Sequence, residues 1–214
     1  MSSCRVAYPM GFRLPRIADE EDPLRLAVLI SGSGSGMAAL LRHQESPVKH
    51  RTRVVISNVE GVAGLQKAEE KGIEAIAIPH GNHQDRESHE RAIHAVLLER
   101  DVEAVILSGY MRLLTPWFVE RWEGRLLNIH PSLLPDFPGA HAHRDVIAAG
   151  VSMTGCTVHF VDKGMDSGRI IAQADVPVLP GDDENSLQER VKGVEHILYP
   201  MAIDALACGD LEEE

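Results

Sequence analysis

Basic residues are in short supply in this sequence: 21 Lys and Arg stand against 32 Asp and Glu, a formal net charge of -11. That balance excludes a broad electrostatic attraction to nucleic acid or to an anionic membrane, while leaving room for a local basic pocket around a small phosphorylated ligand. Cysteine is sparse as well. Cys4, Cys156 and Cys208 lie far apart with no CxxC pair, which argues against a disulfide framework and for reduced thiols in the cytoplasm. No apolar run reaches the roughly 18 residues of a membrane-spanning helix. Met1–Pro23 is polar, contains arginine and turns acidic toward its end, so a signal-peptide pattern is missing. This segment is expected to be an extension outside the core fold, with residues 24–214 forming one domain.

Metal motifs are missing too, although there are eleven histidines. There is no HExxH and no cysteine partner set. His80, His83, His89 and His94 cluster without sharing a clear face, and His141 and His143 around Ala142 suit a pocket or packing role better than a ligand set. No metal requirement is expected.

What is present is an alternation of strand-like and helix-like blocks. Leu24–Ile30 is a nearly continuous apolar run of strand length, followed by Ser31–Gly36 and a helical stretch Met37–His43. Arg53–Ser57, Glu74–Ile78 and Val102–Leu107 read as further strands, with helices over Gly61–Lys71 and Asp85–Arg100 between them. Short buried strands alternating with helices predict an α/β fold, an open and mostly parallel twisted sheet with helices on both faces and a Rossmann-like N-terminal half. In the second half, a strand over Gly124–His130 leads into a Pro-rich loop. Cys156–Val161 and Arg169–Val176 are expected to be antiparallel neighbours joined by Asp162–Gly168, and a helix over about Asn185–Ala207 closes the chain.

Three segments could carry chemistry. The turn SGSGSG at Ser31–Gly36 sits between the first strand and the first helix, where backbone N–H groups and the helix dipole favour a phosphate. It is not the dinucleotide fingerprint, because Met37 stands where the third glycine would be, and no Gly-Lys-Ser/Thr follows to make a P-loop. A ligand-free βα turn would use the same glycines. In NIHPSLLPDFPGAHAH, Asn128 and His130 are two apart on a strand, so their side chains point the same way. An amide donor beside an imidazole suits an oxyanion with proton movement nearby, although a capping amide and a packed core histidine would read alike. The loop VDKGMDSG offers two carboxylates, Asp162 and Asp166, either of which could hold a histidine in its charged form.

Taken together, the ordered segments LISGSGS, SGYMRLL, RLLNIHPSLLPDFPGAHAHR, GCTVHFVDKGMDSGRII and the VxxxEHxxYP pattern resemble the glycinamide ribonucleotide transformylases, a folate-dependent formyltransferase family, from about Leu24 to Asp210. The resemblance implies transfer of the formyl group of 10-formyltetrahydrofolate to the amine of glycinamide ribonucleotide in purine biosynthesis. The amine would attack directly, through an oxyanionic tetrahedral intermediate. Asn128, His130 and Asp166 take the catalytic roles on this reading. Gly34, Ser35 and Gly36 would hold the ribonucleotide phosphate, with Glu195 and its neighbours Lys192, Gly193 and Val194 at the ribose and amine end. Arg86, Met111, Arg112, Leu113, Leu114, Asn128 and the loop residues Asp162, Lys163, Gly164, Met165 and Asp166 would line the folate site. The family's usual residue after Gly-Ser in the first turn is Asn, and here it is Gly36.

Rival readings stay open at this point. A tRNA-directed formyltransferase shares the Asn-x-His motif but carries a further C-terminal domain, for which the residues after the last helix leave no room; the negative net charge also argues against tRNA. A formyltetrahydrofolate hydrolase would use water in place of the amine. A non-catalytic nucleotide-binding module would use only the Gly-rich turn and leave Asn128, His130 and Asp166 without a role. Small molecules are the expected partners, and the chain is expected to be a monomer or homodimer.

Overall fold

The computed structural model describes residues 12–211. In order, the chain forms β1 (Leu24–Ile30), α1 (Ser35–His43), β2 (His50–Ser57), α2 (Ala63–Glu70), β3 (Glu74–Ala77), α3 (Arg86–Glu99), β4 (Ala104–Leu107), α4 (Pro116–Trp122), β5 (Leu126–His130), α5 (Ala142–Ala149), β6 (Met153–Phe160), β7 (Ile170–Pro177) and α6 (Glu184–Cys208). One seven-stranded sheet runs β3-β2-β1-β4-β5-β6-β7. β1 to β5 are parallel, and β6 and β7 are antiparallel, as the two adjacent strand patterns led one to expect.

The helices sit where local chemistry puts them. α3 and α6 each begin with a capping box, Asp85 with Ser88 and Asp183 with Ser186, which satisfies two orphan donors reciprocally. α2 ends where Gly72 takes φ +71, and the Ile73 N–H returns to the Ala68 carbonyl, the left-handed stop expected of a glycine there. Two helices were not anticipated, α4 and α5. Both are a little over two turns at most, too short for a clear 3.6-residue period.

The sheet separates two apolar layers. Leu26, Val28 and Ile30 of β1 face one way with α1 and α6, while Ala27 and Leu29 face α3 and α4. β1 is therefore buried on both faces, which is why its sequence is apolar throughout rather than alternating. The Tyr199 hydroxyl on α6 lies 2.9 Å from the carbonyl oxygens of both Leu107 and Leu127. It donates its single proton across the ends of β4 and β5.

Part of the segment read as an extension lies on this body. Phe12 packs edge-on against Phe160 at 5.0 Å between ring centroids. Ala18 joins the core and donates its N–H to the Ala207 carbonyl, and Arg16 pairs with Glu103 at 2.7 Å. Residues 1–11, including Cys4, lie outside the described residues. Cys156 is buried and burial pushes its thiol up to about 12, so it is held as an unreactive apolar group.

Candidate active site

The C-terminal ends of the parallel strands, where open α/β sheets place ligands, open onto two adjacent cavities. The first, about 360 Å³, is lined by the whole turn Ser31–Gly36 together with Ser108, Gln188, Lys192 and Glu195. The second, about 630 Å³, is lined by Arg86, Tyr110, Met111–Leu114, Asn128, His130, His159 and the loop Val161–Asp166. Met111 lines both. β5 stands between them: Asn128 and His130 face the second cavity and Ile129 the first, as strand alternation requires.

In the first cavity, α1 begins at Gly34, whose φ of +64 is left-handed and which supplies no side-chain cap. A Cβ at Gly34 would come within 2.9 Å of the Gly64 backbone, so glycine is required there by both conformation and space. The first-turn N–H groups of α1 are thus left without a side-chain acceptor, a ready anion site. Gly36 lies inside the helix, so the left-handed residue of this turn is Gly34. Of the residues expected at the ribose end, Lys192 and Glu195 reach the cavity. Gly193 is exposed and Val194 packs into the core around Val146 and Leu187. Burial pushes the Glu195 carboxyl up to about 7, opposed by Lys192.

The second cavity brings Asn128, His130 and Asp166 together. His130 Nε2 lies 2.9 Å from the Phe137 carbonyl, and a carbonyl only accepts, so Nε2 carries a proton. Its Nδ1 faces Asp166 Oδ2 at 3.4 Å. The carboxylate thus faces the ring nitrogen that is not bonded to Phe137. Asp166 takes φ +51, a region Asp tolerates better than most residues, and its Oδ2 accepts the Gly139 N–H at 2.8 Å. That bond fastens the Asp162–Gly168 loop to the Pro-rich loop after β5. Asp162 does different work: it accepts from the Gly164 N–H and the Ser167 hydroxyl and so shapes its own loop.

One residue of this constellation was not singled out from the sequence. His159 lies opposite Asn128 in the β5–β6 register. Its Nδ1 donates to the Phe160 carbonyl, so Nε2 is free to accept from the Asn128 amide nitrogen at 3.2 Å. Burial, the leading cause, lowers the His159 pKa and keeps the ring neutral. His159 thereby fixes which way the Asn128 amide points, with its second N–H left for the cavity. Only strand pairing reveals this, because 31 residues separate the two.

All the residues expected at the folate site line the second cavity. Leu107, Leu114 and Val119 make its inner wall apolar, the exposed Leu113 joins Arg86 and Arg112 at its edge, and the buried Tyr110 hydroxyl has no partner among the described residues. An apolar slot with a few convergent polar groups suits a flat heteroaromatic ligand with an acidic tail.

The histidines first weighed as a metal cluster form ring contacts instead, His80 and His83 both edge-on to His89. A different group, His43, His50 and Asp204, has metal-like spacing. Its hydrogen bonds oppose an ion. The Thr52 N–H donates to Gln44 Oε1, so Gln44 Nε2 donates to His50 Nδ1, and His50 must carry its proton on Nε2, against Asp204. A metal on that nitrogen would require the Gln44 amide to turn over and lose the Thr52 bond. The cluster pins α1, β2 and α6 together.

The model of the formyl transferase family matches residues 24–203. Phosphoribosylglycinamide formyltransferase of Escherichia coli (strain K12) is 39% identical over 190 residues, 88% of this chain and 90% of that protein. This chain belongs to the phosphoribosylglycinamide formyltransferase family. It is therefore a transferase of the formyl-transferring class, as the ordered motifs implied. The trifunctional purine biosynthetic protein adenosine-3 of Gallus gallus is 46% identical over 194 residues, 90% of this chain, although the chain spans only 19% of that protein's length. Among solved structures, glycinamide ribonucleotide transformylase 1 from Symbiobacterium toebii superposes with a TM-score of 0.87 at 42% identity, covering 90% of this chain and 91% of that one. The Brucella melitensis phosphoribosylglycinamide formyltransferase gives 0.84 at 43%, covering 90% and 100%. The open, mostly parallel sheet expected from the strand pattern is the fold these proteins share.

Proposed function

We propose that this formyltransferase moves the formyl group of 10-formyltetrahydrofolate onto the amine of glycinamide ribonucleotide, with the ribonucleotide in the first cavity and the folate in the second. The observation that carries the reading is the meeting of Asn128, His130 and Asp166 beside the residue that lines both cavities, Met111.

On this reading the phosphate sits on the open N-terminus of α1, and the substrate amine reaches past Met111 toward the formyl carbon. The amine lone pair forms the new C–N bond while the carbonyl π pair moves to oxygen. The free N–H of Asn128 and the Nδ1–H of His130 stabilise the resulting oxyanion, and losing one such donor typically costs about 3 kcal/mol. Asp166 holds its carboxylate toward the His130 ring through that step. The amine then gives up a proton, the departing folate nitrogen gains one, and the oxyanion pair re-forms the carbonyl as the old C–N bond breaks with its pair on that nitrogen. No covalent enzyme intermediate and no metal enters these steps.

Incubation with 10-formyltetrahydrofolate, with and without glycinamide ribonucleotide, tests the reading through the identity of the formylated product. Formylation that requires the ribonucleotide is expected. Formate release independent of the amine would make the chain a hydrolase, and binding without turnover would make it a nucleotide-binding module.

A further inference from the structure

Position 36, in the first turn of α1, carries no side chain. The space that one would enter is occupied. A Cβ built on Gly36 would lie 2.7 Å from the Ser108 hydroxyl. Ser108 follows the last residue of β4, and its own N–H donates to the Leu29 carbonyl at 2.9 Å, so its backbone is held to β1. The residue is 7% exposed, lines the first cavity, and its hydroxyl has no hydrogen-bond partner among the described residues. The oxygen keeps accessible surface at that cavity, where a ligand or water can complete its hydrogen bonding. Three features therefore meet at one point: an uncapped helix N-terminus, a glycine that leaves space beside it, and a hydroxyl with no protein partner on a largely buried residue of the cavity wall.

We infer that Ser108 is a phosphate-binding residue of the ribonucleotide site, and that Gly36 and Ser108 act as one unit in which a hydroxyl from the end of β4 replaces a side chain at position 36. This rests on the ribonucleotide reading above and adds to it a residue that the sequence motifs did not assign. A serine hydroxyl can donate to a phosphate oxygen while the N–H groups of Ser35 and Gly36 donate beside it. The pairing also makes a directional statement about substitution. A Cβ at 36 and the Ser108 hydroxyl in its present rotamer claim the same volume, so a side chain at 36 turns that hydroxyl away from its place at the cavity.

The test is calorimetric titration of glycinamide ribonucleotide, and of its dephosphorylated nucleoside, into the wild type, Ser108→Ala, Ser108→Thr, Gly36→Asn and the double variant Gly36→Asn/Ser108→Ala, with thermal unfolding run on each. Ser108→Ala is expected to weaken ribonucleotide binding by about tenfold or more, the loss of a charge-assisted hydrogen bond, while leaving nucleoside binding unchanged. Ser108→Thr, which keeps the hydroxyl, should bind as the wild type does. Gly36→Asn should weaken ribonucleotide binding, and the double variant should recover it to within a few-fold of the wild type. Unchanged ribonucleotide affinity in Ser108→Ala would overturn the inference while the ribonucleotide reading stood. Equal losses for the phosphorylated and dephosphorylated ligands would also overturn it, showing that Ser108 only supports the fold. A wild type that binds neither ligand would remove both the reading and the inference.

Discussion

Glu195 offers a measurement that needs no substrate. Burial holds its carboxyl at about 7 in the folded chain against an ordinary 4.5, and the displacement corresponds to about 3 kcal/mol. The folded state binds this proton more tightly than the unfolded state does. Stability from the group is therefore complete below pH 4.5, declines as pH rises, and is lost once pH passes about 7. Glu195→Gln keeps the shape and removes the titration. The variant should therefore gain on the wild type by about 3 kcal/mol between pH 4.5 and pH 7.5. His50 works in the opposite sense in the same range: burial lowers its pKa to about 4 from an ordinary 6.5, so its contribution is lost as pH falls through that window. Only the difference between the two proteins isolates Glu195. Urea unfolding of both, at half-unit steps across the range, provides it. Parallel stability profiles would refute the claim that Glu195 is held in a desolvated position. If this carboxylate accepts from the ribonucleotide as the proposed function has it, affinity should rise through about pH 7 in the wild type and stay flatter in the variant.

Other substitutions probe the second cavity and the frame around it. Asn128→Ala and His130→Ala should each lower kcat by about 100-fold or more with the fold intact by circular dichroism; near-native kcat in either would sink the oxyanion role. His159→Ala frees the Asn128 amide to turn, and a fall in kcat of about tenfold with little change in KM is expected. A changed KM with unchanged kcat would assign His159 to binding instead. Asp166→Asn should reduce kcat far more than Asp162→Asn, because only Asp166 faces His130; equal effects in steady-state assays would contradict that division. Tyr199→Phe leaves the two carbonyls at the ends of β4 and β5 without their donor and should cost about 1–3 kcal/mol of unfolding free energy in urea.

Much of this was legible in the chain because its signals are local. Leu24–Ile30 reads as a doubly buried strand, the glycines after it as a tight turn into a helix, and Asn128 with His130 as a pair on one strand face. What was not legible depends on distance or on short length. His159 meets Asn128 only through antiparallel pairing of β5 with β6, and Ser108 meets Gly36 only because β1 and β4 are neighbours in the sheet. The His43, His50 and Asp204 cluster draws on three elements spread over the chain. For α4 a signal existed, since Thr115-Pro116 is a favoured helix start. Gly150, left-handed at the end of α5, was a comparable stop signal. Neither helix is long enough to show a period.

The tie made by Tyr199 has a consequence for how substrates are received. α6 carries Lys192 and Glu195 to the first cavity, while β5 carries Asn128 and His130 to the second. One phenol joins that helix to the strand through the Leu127 carbonyl, one residue before Asn128. On the proposed reading, the separation between the nucleotide's phosphate and the point of acyl transfer would be set by this joint inside the protein, before any ligand arrives. Reach, and not only chemistry, then selects the acceptor: an amine one methylene nearer to or farther from its phosphate would be held just as firmly and would miss the carbon it must attack.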